Sequence, residues 1–481
     1  MPIRLALLAA LVALLAALTP TASAGTPGSW TMLGQPNLDN IDEATLARTA
    51  DGVLHAVWTI PSHNNGGGGD DLVHDAIAPS GAAAAPNPVT AGWASITAVP
   101  ALVRTPDGGL RLFFGGIRTT APNEPNDNMN TATADAGGGS WSLFGGTIVK
   151  GDSAYGGDDG AALLGDGTPL IAFGGTGAGM FVHRGLDPNT SNYELQHQLG
   201  NCCGYSPQVA FDSATGGAFV GWLSNATNQQ GLFVQQLDAG SGAPLASPIH
   251  MPDSSTTENG VVNHNQQLMR TPLVARVGGG VFAAYGGGYP TTKNALLWKV
   301  GAASSQSLGT SAADHVTSLA AAPDGRLWVF WIERGSPVRI FARRSNTSAT
   351  AFGPAVRLRP PAGQQSAYKI DGDAQTAALD LVVLFGGVGN QAQYHTQVLP
   401  GLALRAKPSK IKGSKSTAVK FTVTDPDPVK GAKVKAGGKS ATTDSKGHAT
   451  IKLGPTKKKS IAATATKAGY TLGTTRVKVK H

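Results

Sequence analysis

Cysteine is nearly absent from this chain: two in 481 residues, and those two, Cys202 and Cys203, are neighbours. Disulfide staples therefore cannot organise the fold, and burial and closure must hold it together. The CxxC spacing of redox catalysts is missing too. Charge is scarce, with Asp, Glu, Lys and Arg making up 14% of residues. Long apolar runs are also lacking, since nothing after the first two dozen residues approaches the 18 or so needed for a membrane helix. The one apolar run, Leu5 to Leu18, is flanked by Arg4 and by the small-x-small site Ala22-Ser23-Ala24. That order reads as a cleaved secretion leader over residues 1–24, with an uncleaved anchor as the alternative. No cysteine stands directly after the cleavage site, which argues against a lipid anchor.

Glycine is abundant, 64 of 481 residues, about twice its usual share. Much of it recurs in one phrase, a tight Asp-Gly or Gly-Gly turn running into a short apolar strand. The clear copies are Asp51-Gly52 before Val53 to Trp58, Asp107-Gly108-Gly109 before Leu110 to Phe114, and Asp166-Gly167 before Pro169 to Phe173. Looser copies fall at Thr215 to Trp222, Gly278 to Tyr285, Asp324 to Trp331 and Leu379 to Phe385. The step of roughly 45 to 65 residues matches one four-stranded propeller blade and exceeds a solenoid repeat. The phrase therefore predicts an all-β, seven-bladed β-propeller, with six blades the alternative, over residues 25–400.

In the clearest unit, Ile96 to Arg104 reads as the innermost strand, Leu110 to Gly116 as the second, Met129 to Ala134 as the third and Trp141 to Val149 as the fourth. Inner strands such as Leu327-Trp328-Val329-Phe330-Trp331-Ile332 are apolar on both faces, as stacked blades require. Ser29 to Leu33 precedes the first unit with no blade of its own, and the last unit lacks an outer strand. The expectation is that the two pair and close the ring, leaving no long open edge.

From about Leu402 the charge balance changes. Residues 401–481 hold 19 Lys plus Arg against three acids (Asp425, Asp427, Asp444), about +16, leaving 19 basic and 27 acidic residues, about −8, for the rest. Such asymmetry marks a boundary and different partners for the two parts. Strands such as Val419-Lys420-Phe421-Thr422-Val423 alternate apolar residues with Lys. The order Val429 to Val434, then Thr443-Asp444-Ser445-Lys446-Gly447-His448-Ala449, resembles bacterial immunoglobulin-like domains of adhesins and cell-wall enzymes. A small β-sandwich over residues 401–481 is what that resemblance implies. No aromatics interleave the lysines, so nucleic acid is not the expected partner. An anionic cell-wall polymer or acidic glycan is.

Val99-Pro100-Ala101-Leu102-Val103-Arg104, with the hairpin after it, is similar to the opening of sialidases. Thr133-Ala134-Asp135-Ala136-Gly137-Gly138-Gly139-Ser140-Trp141 resembles their Asp-box, a structural hairpin, with one residue added. The resemblance implies a propeller and points to glycans. The chain nonetheless carries Ala98 where the first catalytic Arg of that family belongs. An Arg–carboxylate fork cannot be replaced by Ala. No Tyr–Glu nucleophile pair can be assigned either.

Candidate ligand residues come from polar stretches taken as connecting loops at the propeller mouth. They are Arg118, Asp127, Asp158 and Asp159, Tyr205 with the Cys202–Cys203 pair, His264 and Asn265, and Asp371 with Asp373. Adjacent cysteines have Cα atoms about 3.8 Å apart, so a bridge between them forms a strained ring that flanking glycines can permit. A rigid ligand platform, a turn-locking bridge and two reduced thiols are all open. Paired carboxylates suit acid–base work on glycosides or Ca²⁺, but neither Asp158-Asp159-Gly160 nor Asp371-Gly372-Asp373 fits a calcium-loop register. No metal, cofactor or catalytic residue is assigned. His55 and His183 read as packed or edge histidines within strands. The sequence points to a secreted, extracellular glycan- or surface-binding protein without catalytic activity, with association to the cell wall as one form of it. The alternative is a divergent sialidase-like glycoside hydrolase.

Overall fold

The computed structural model describes residues 27–38, 41–61, 70–96, 99–117, 128–143, 159–175, 179–185, 196–199, 204–224, 230–254, 271–287, 293–311, 313, 315–387 and 390–481. Among them there is no helix, and the chain is all-β. From Thr45 to Val398 it folds into seven successive antiparallel sheets. Each begins with an innermost strand and runs outward by hairpins, the first six to a fourth strand and the seventh to a third; the second sheet also holds the short strand Ser95–Ile96. The innermost strands are Thr45–Arg48, Ala101–Arg104, Asp159–Leu163, Gly204–Asp212, Leu273–Ala275, His315–Ala321 and Ala367–Ala374. Each lies against the innermost strands of its neighbours, and that of the seventh sheet lies against that of the first. This is the arrangement of a β-propeller.

The recurrent Asp-Gly turns sit between the first and second strands. In the first sheet the Asp51 carboxylate accepts from the Val53 amide at 3.2 Å and from the Thr49 hydroxyl at 2.7 Å. Gly52 follows with φ +87° and Gly108 repeats this at φ +92°, a conformation that glycine adopts without a Cβ penalty. Asp135 makes an equivalent turn later in the second sheet, accepting from the Gly137 and Gly138 amides at 3.0 and 3.1 Å. The second strands are buried on both faces: Leu327–Glu333 and Leu379–Phe385 are fully buried along their lengths. Adjacent sheets therefore pack face to face, as where Trp328, Phe330 and Ile332 meet Ile370, Leu381 and Val383.

The outer strand of the seventh sheet comes from the N-terminal end. Thr31–Leu38 pairs antiparallel with Gln391–Val398, in the register Thr31 with His395, Met32 with Tyr394 and Leu33 with Gln393. Leu33 is buried among Trp58, Val382 and Leu384, joining the first sheet to the seventh. Just before the strand, Trp30 meets Phe385 edge-on at 5.1 Å, and its indole N–H donates to the Arg359 carbonyl at 2.6 Å. The second sheet departs from expectation at its inner edge. The ladder splits into Ser95–Ile96 and Ala101–Arg104, and between them the Val99 carbonyl accepts from the Asp159 amide of the next sheet at 3.0 Å. In its fourth strand only Trp141–Leu143 is described, so the rest of the expected span lies outside the described residues.

Residues Ala403 to Lys480 form two further sheets packed on one core that includes Leu404, Phe421, Ile451, Val434, Ala463 and Val477. They are joined to the sixth sheet by charge. Arg344 ion-pairs with the buried Asp425 and stacks over Trp328 and Tyr470, at 5.8 and 5.6 Å from the ring centroids. Arg326 reaches Asp427 at 3.3 Å.

Truncating Leu33 to Ala is expected to destabilise the ring by about 2–5 kcal/mol, the range for a buried leucine. Exposed Met32→Ala, one residue away, is expected to stay within about 0.5 kcal/mol of wild type. Urea unfolding midpoints of the two variants check this.

Candidate functional site at the propeller channel

The seven innermost strands enclose a cavity of about 370 Å³, and every one of them contributes to its wall. The wall is mostly small, with Ala101, Ala161, Ala210, Ala275 and Ala320 among its residues, because seven strands can converge only where side chains are short. Polar groups enter from Glu43, Thr45, Gln208, Thr271, Asp371 and Asp373.

The innermost strands all begin at one end of the channel, where second strands end and third strands begin. Of the sequence candidates, Arg118, Asp127, Asp158, Cys202, Cys203, His264 and Asn265 lie outside the described residues. The remaining four candidates are not on loops. Asp159 opens an innermost strand, fully buried, with Oδ2 accepting from the Gly115 amide of the second sheet at 3.1 Å. Tyr205 is in Gly204–Asp212, packed against a core that includes Leu223 and Tyr285. Asp371 and Asp373 both lie within Ala367–Ala374. The Asp371-Gly372-Asp373 phrase looks like a turn, but its glycine serves close packing: a Cβ at Gly372 would come within 2.8 Å of the Phe330 ring.

Strand alternation then sorts the side chains. Ile370 faces the sixth sheet, whereas Lys369 and Asp373 face the first; Asp371 shares their side by alternation. Lys369 pairs with Asp42. Arg48 bridges Asp373 at 2.6 Å and Asp380 at 2.7 Å, and His395 contacts Asp380 at 2.9 Å. Burial works to raise Asp380, but bonds from His395, Arg48 and Gln375 outweigh it and hold the carboxyl below its usual range. For Asp373 burial wins: it lifts the carboxyl above the usual range, with Arg48 pulling against it and Asp380 adding to it.

A second charged cluster stands at the same end of the sixth sheet as the strand starts. Glu333 is buried, with Arg339 at 2.7 Å and His315 at 3.6 Å from its carboxylate oxygens. Next to it Arg334 donates to the Tyr368 carbonyl at 3.2 Å and lies 5.7 Å from the centre of that ring. Sequence reasoning missed Arg48, His315, Glu333, Arg334, Arg339 and Lys369. The available signal was an acid placed directly after the apolar run Leu327 to Ile332, where both faces are buried. Among the described residues no group of three or more His, Cys, Asp or Glu is placed to hold a metal ion. Among the described residues no helix is long and apolar enough to cross a membrane.

No family model matches the sequence, and no curated protein matches it. Solved structures with similar folds include an ulvan lyase of a polysaccharide lyase family (8% identity, TM-score 0.47, 76% of this chain and 95% of that one). A leech intramolecular trans-sialidase has 9% identity and a TM-score of 0.43, covering 66% of this chain and 68% of that one. A Penicillium chrysogenum alpha-L-arabinanase has 12% identity and a TM-score of 0.44, covering 77% and 98%. At these scores the fold stands on the strand pairing described above.

The strand histidines are buried, as expected. His183 is enclosed in the third sheet. His55 and His74 stack in the first sheet with Nδ1 and Nε2 2.9 Å apart, and Asn87 continues the chain at 2.8 Å. Asn87 then donates to the Gly138 carbonyl of the second sheet at 3.1 Å. Burial, with His74 adding to it, lowers His55 to about 4. On the neighbouring strand burial lifts the Asp75 carboxyl to about 7.

These two shifts act on stability with opposite signs. Between pH 4 and 6.5 unfolding lets His55 take up a proton, so its contribution falls as pH falls. Between pH 3.8 and 7 unfolding releases the Asp75 proton, so its contribution falls as pH rises. Asp75→Asn is therefore expected to expose a loss of up to about 3 kcal/mol on acidification across the His55 window. His55→Gln should expose the reverse slope. Urea midpoints across that window decide the matter, and flat profiles in both variants would contradict it.

Proposed function

We propose that the chain is a secreted, non-catalytic binding protein. In this reading residues 1–24 are a leader, and residues 25–400 form a seven-bladed propeller that receives a glycan at the channel end where the innermost strands begin. The Asp135 hairpin is then an Asp-box, and residues 401–481 are an immunoglobulin-like domain that holds the protein on an anionic cell-wall surface. The observation that carries the binding reading is the pairing of three described carboxylates with cations. Asp42, Glu333 and Asp380 each contact a cation, Lys369, Arg339 and Arg48. Glycoside cleavage needs two carboxyls flanking the bond, one of them free to give up a proton, whereas Asp42 and Asp380 tie the first blade to the seventh and Glu333 ties neighbouring strands within the sixth. Recognition of a polyhydroxylated ligand instead needs fixed donors, acceptors and aromatic faces on rigid strands. Arg334, Tyr368 and Asp371 supply such groups.

One observation favours a second reading, a glycoside hydrolase. Asp371 and Asp373 share one side of a channel strand, and burial raises the Asp373 carboxyl.

The full mature chain, applied to a panel of neutral and acidic glycans and then assayed for turnover of every ligand found, separates the two. Binding of a neutral glycan that survives high salt, with no turnover and about tenfold weakening in Arg334→Ala, is the expected result. Turnover that disappears in Asp373→Asn would replace binding with hydrolysis.

A further inference from the structure

We propose that one face of the C-terminal unit, the solvent side of its five-stranded sheet, is a docking surface for a linear phosphodiester polymer. This deepens the tethering half of the function proposed above and rests on it. The sheet runs Lys410–Lys412, Gly473–Lys480, Ser460–Thr466, Lys433–Ala436, Lys439–Thr442. Its inward residues, among them Ile411, Val479, Val477, Ala463 and Val434, fill the core of the unit. Alternation turns Lys410, Lys412, Lys433, Lys435, Arg476, Lys478 and Lys480 outward, and all seven are exposed.

Register makes this more than a high lysine content. Lys410 sits opposite Lys478, and Lys412 opposite Lys480, on adjacent parallel strands. Like charges in direct register are destabilising, so the arrangement calls for counter-charge. The unit has none to give. Its three carboxylates are engaged elsewhere: Asp425 with Arg344, Asp427 with Arg326, and Asp444 capping a turn through the Lys446 and His448 amides at 2.9 and 2.8 Å. Among the described residues none of the seven face cations takes part in an ion pair.

The spacing suits an extended polyanion. Strands lie about 4.8 Å apart and same-face residues about 6.8 Å apart along each, inside the ~8 Å screening length of physiological salt. The cations therefore act as one field. Between them stand Ser460, Ala462, Thr464, Thr466 and Thr474, short residues that leave the surface open to a chain lying across it. Six of the seven are lysine, which binds phosphate as a point charge, whereas carboxylate recognition favours the arginine fork. No aromatic stands on these outward positions to stack a sugar or a base.

The test uses the full mature chain with immobilised long-chain inorganic polyphosphate, and polygalacturonate as the carboxylate polymer, over a series of salt concentrations. The face variant combines K410Q, K412Q, K478Q and K480Q. A control removes the same charge from the opposite sheet with R405Q, K407Q, K420Q and K452Q. Wild type is expected to bind polyphosphate more tightly than polygalacturonate, with a log–log salt slope of about −3 to −5. The face variant is expected to lose at least about tenfold and roughly half of that slope, and the control less than about threefold. Because repulsion is relieved, the face variant should melt no lower than wild type. Equal losses in both variants would overturn the face and leave the tether standing on net charge alone. Preference for polygalacturonate would overturn the choice of phosphate. Absence of binding to either polymer would remove the tether itself.

Discussion

Closure of the ring is the constraint on which the rest of the structure depends. Seven sheets stacked in sequence leave two open ends, the first sheet and the seventh, and each would expose an apolar face. The chain joins them by pairing Thr31–Leu38 with Gln391–Val398, more than 350 residues away. Leu33 carries the packing across the seam, and two sets of ions reinforce it: Lys369 with Asp42, and Arg48 with Asp373 and Asp380. Loop-closure entropy rises slowly with length, so a contact this distant costs little more than a nearby one. With almost no cysteine available, this non-covalent clasp does the work that a disulfide does in smaller disulfide-bonded folds.

The same seam shapes the site. The channel exists only because the innermost strands converge, and they converge only in a closed ring. Polar groups around these strands are therefore structural and chemical at once. Arg48 neutralises Asp380 and restrains Asp373, and Arg334 ties the sixth sheet to the seventh while it lies over Tyr368. Groups committed to holding blades together sit on rigid strands with little freedom to relax, a property that suits binding better than proton transfer. The C-terminal unit is built by the opposite logic. Its acids are drawn to the joint with the sixth sheet or into a turn, and its outer faces are left cationic.

Local phrases in the sequence reveal the scaffold well. Asp-Gly turns mark the first hairpin of the first, second, third and sixth sheets because a positive φ and a self-bonding Asp carboxylate are both local requirements. The orphan segment around Trp30 foretells the closing strand because a ring needs equal numbers of strands in each blade. Lysine alternation after Leu402 foretells strands with one wet face. The site is far less legible. Pairings such as Arg48 with Asp373 or Lys369 with Asp42 join residues more than 300 positions apart, and no local pattern records them. Asp371-Gly372-Asp373 misleads for a related reason. Read locally it is a turn, but the glycine is there because Phe330 of the next sheet leaves no room for a side chain.

Native-state hydrogen exchange at the Thr31, Met32 and Leu33 amides, followed over low urea concentrations, tests the closure account most directly. If the N-terminal strand is the clasp of the ring, these amides exchange only through global opening, with the urea dependence of Val382 and Val383 in the buried strand of the same sheet. If they exchange through local fraying while Val382 and Val383 stay protected, the ring holds without its clasp and the account fails.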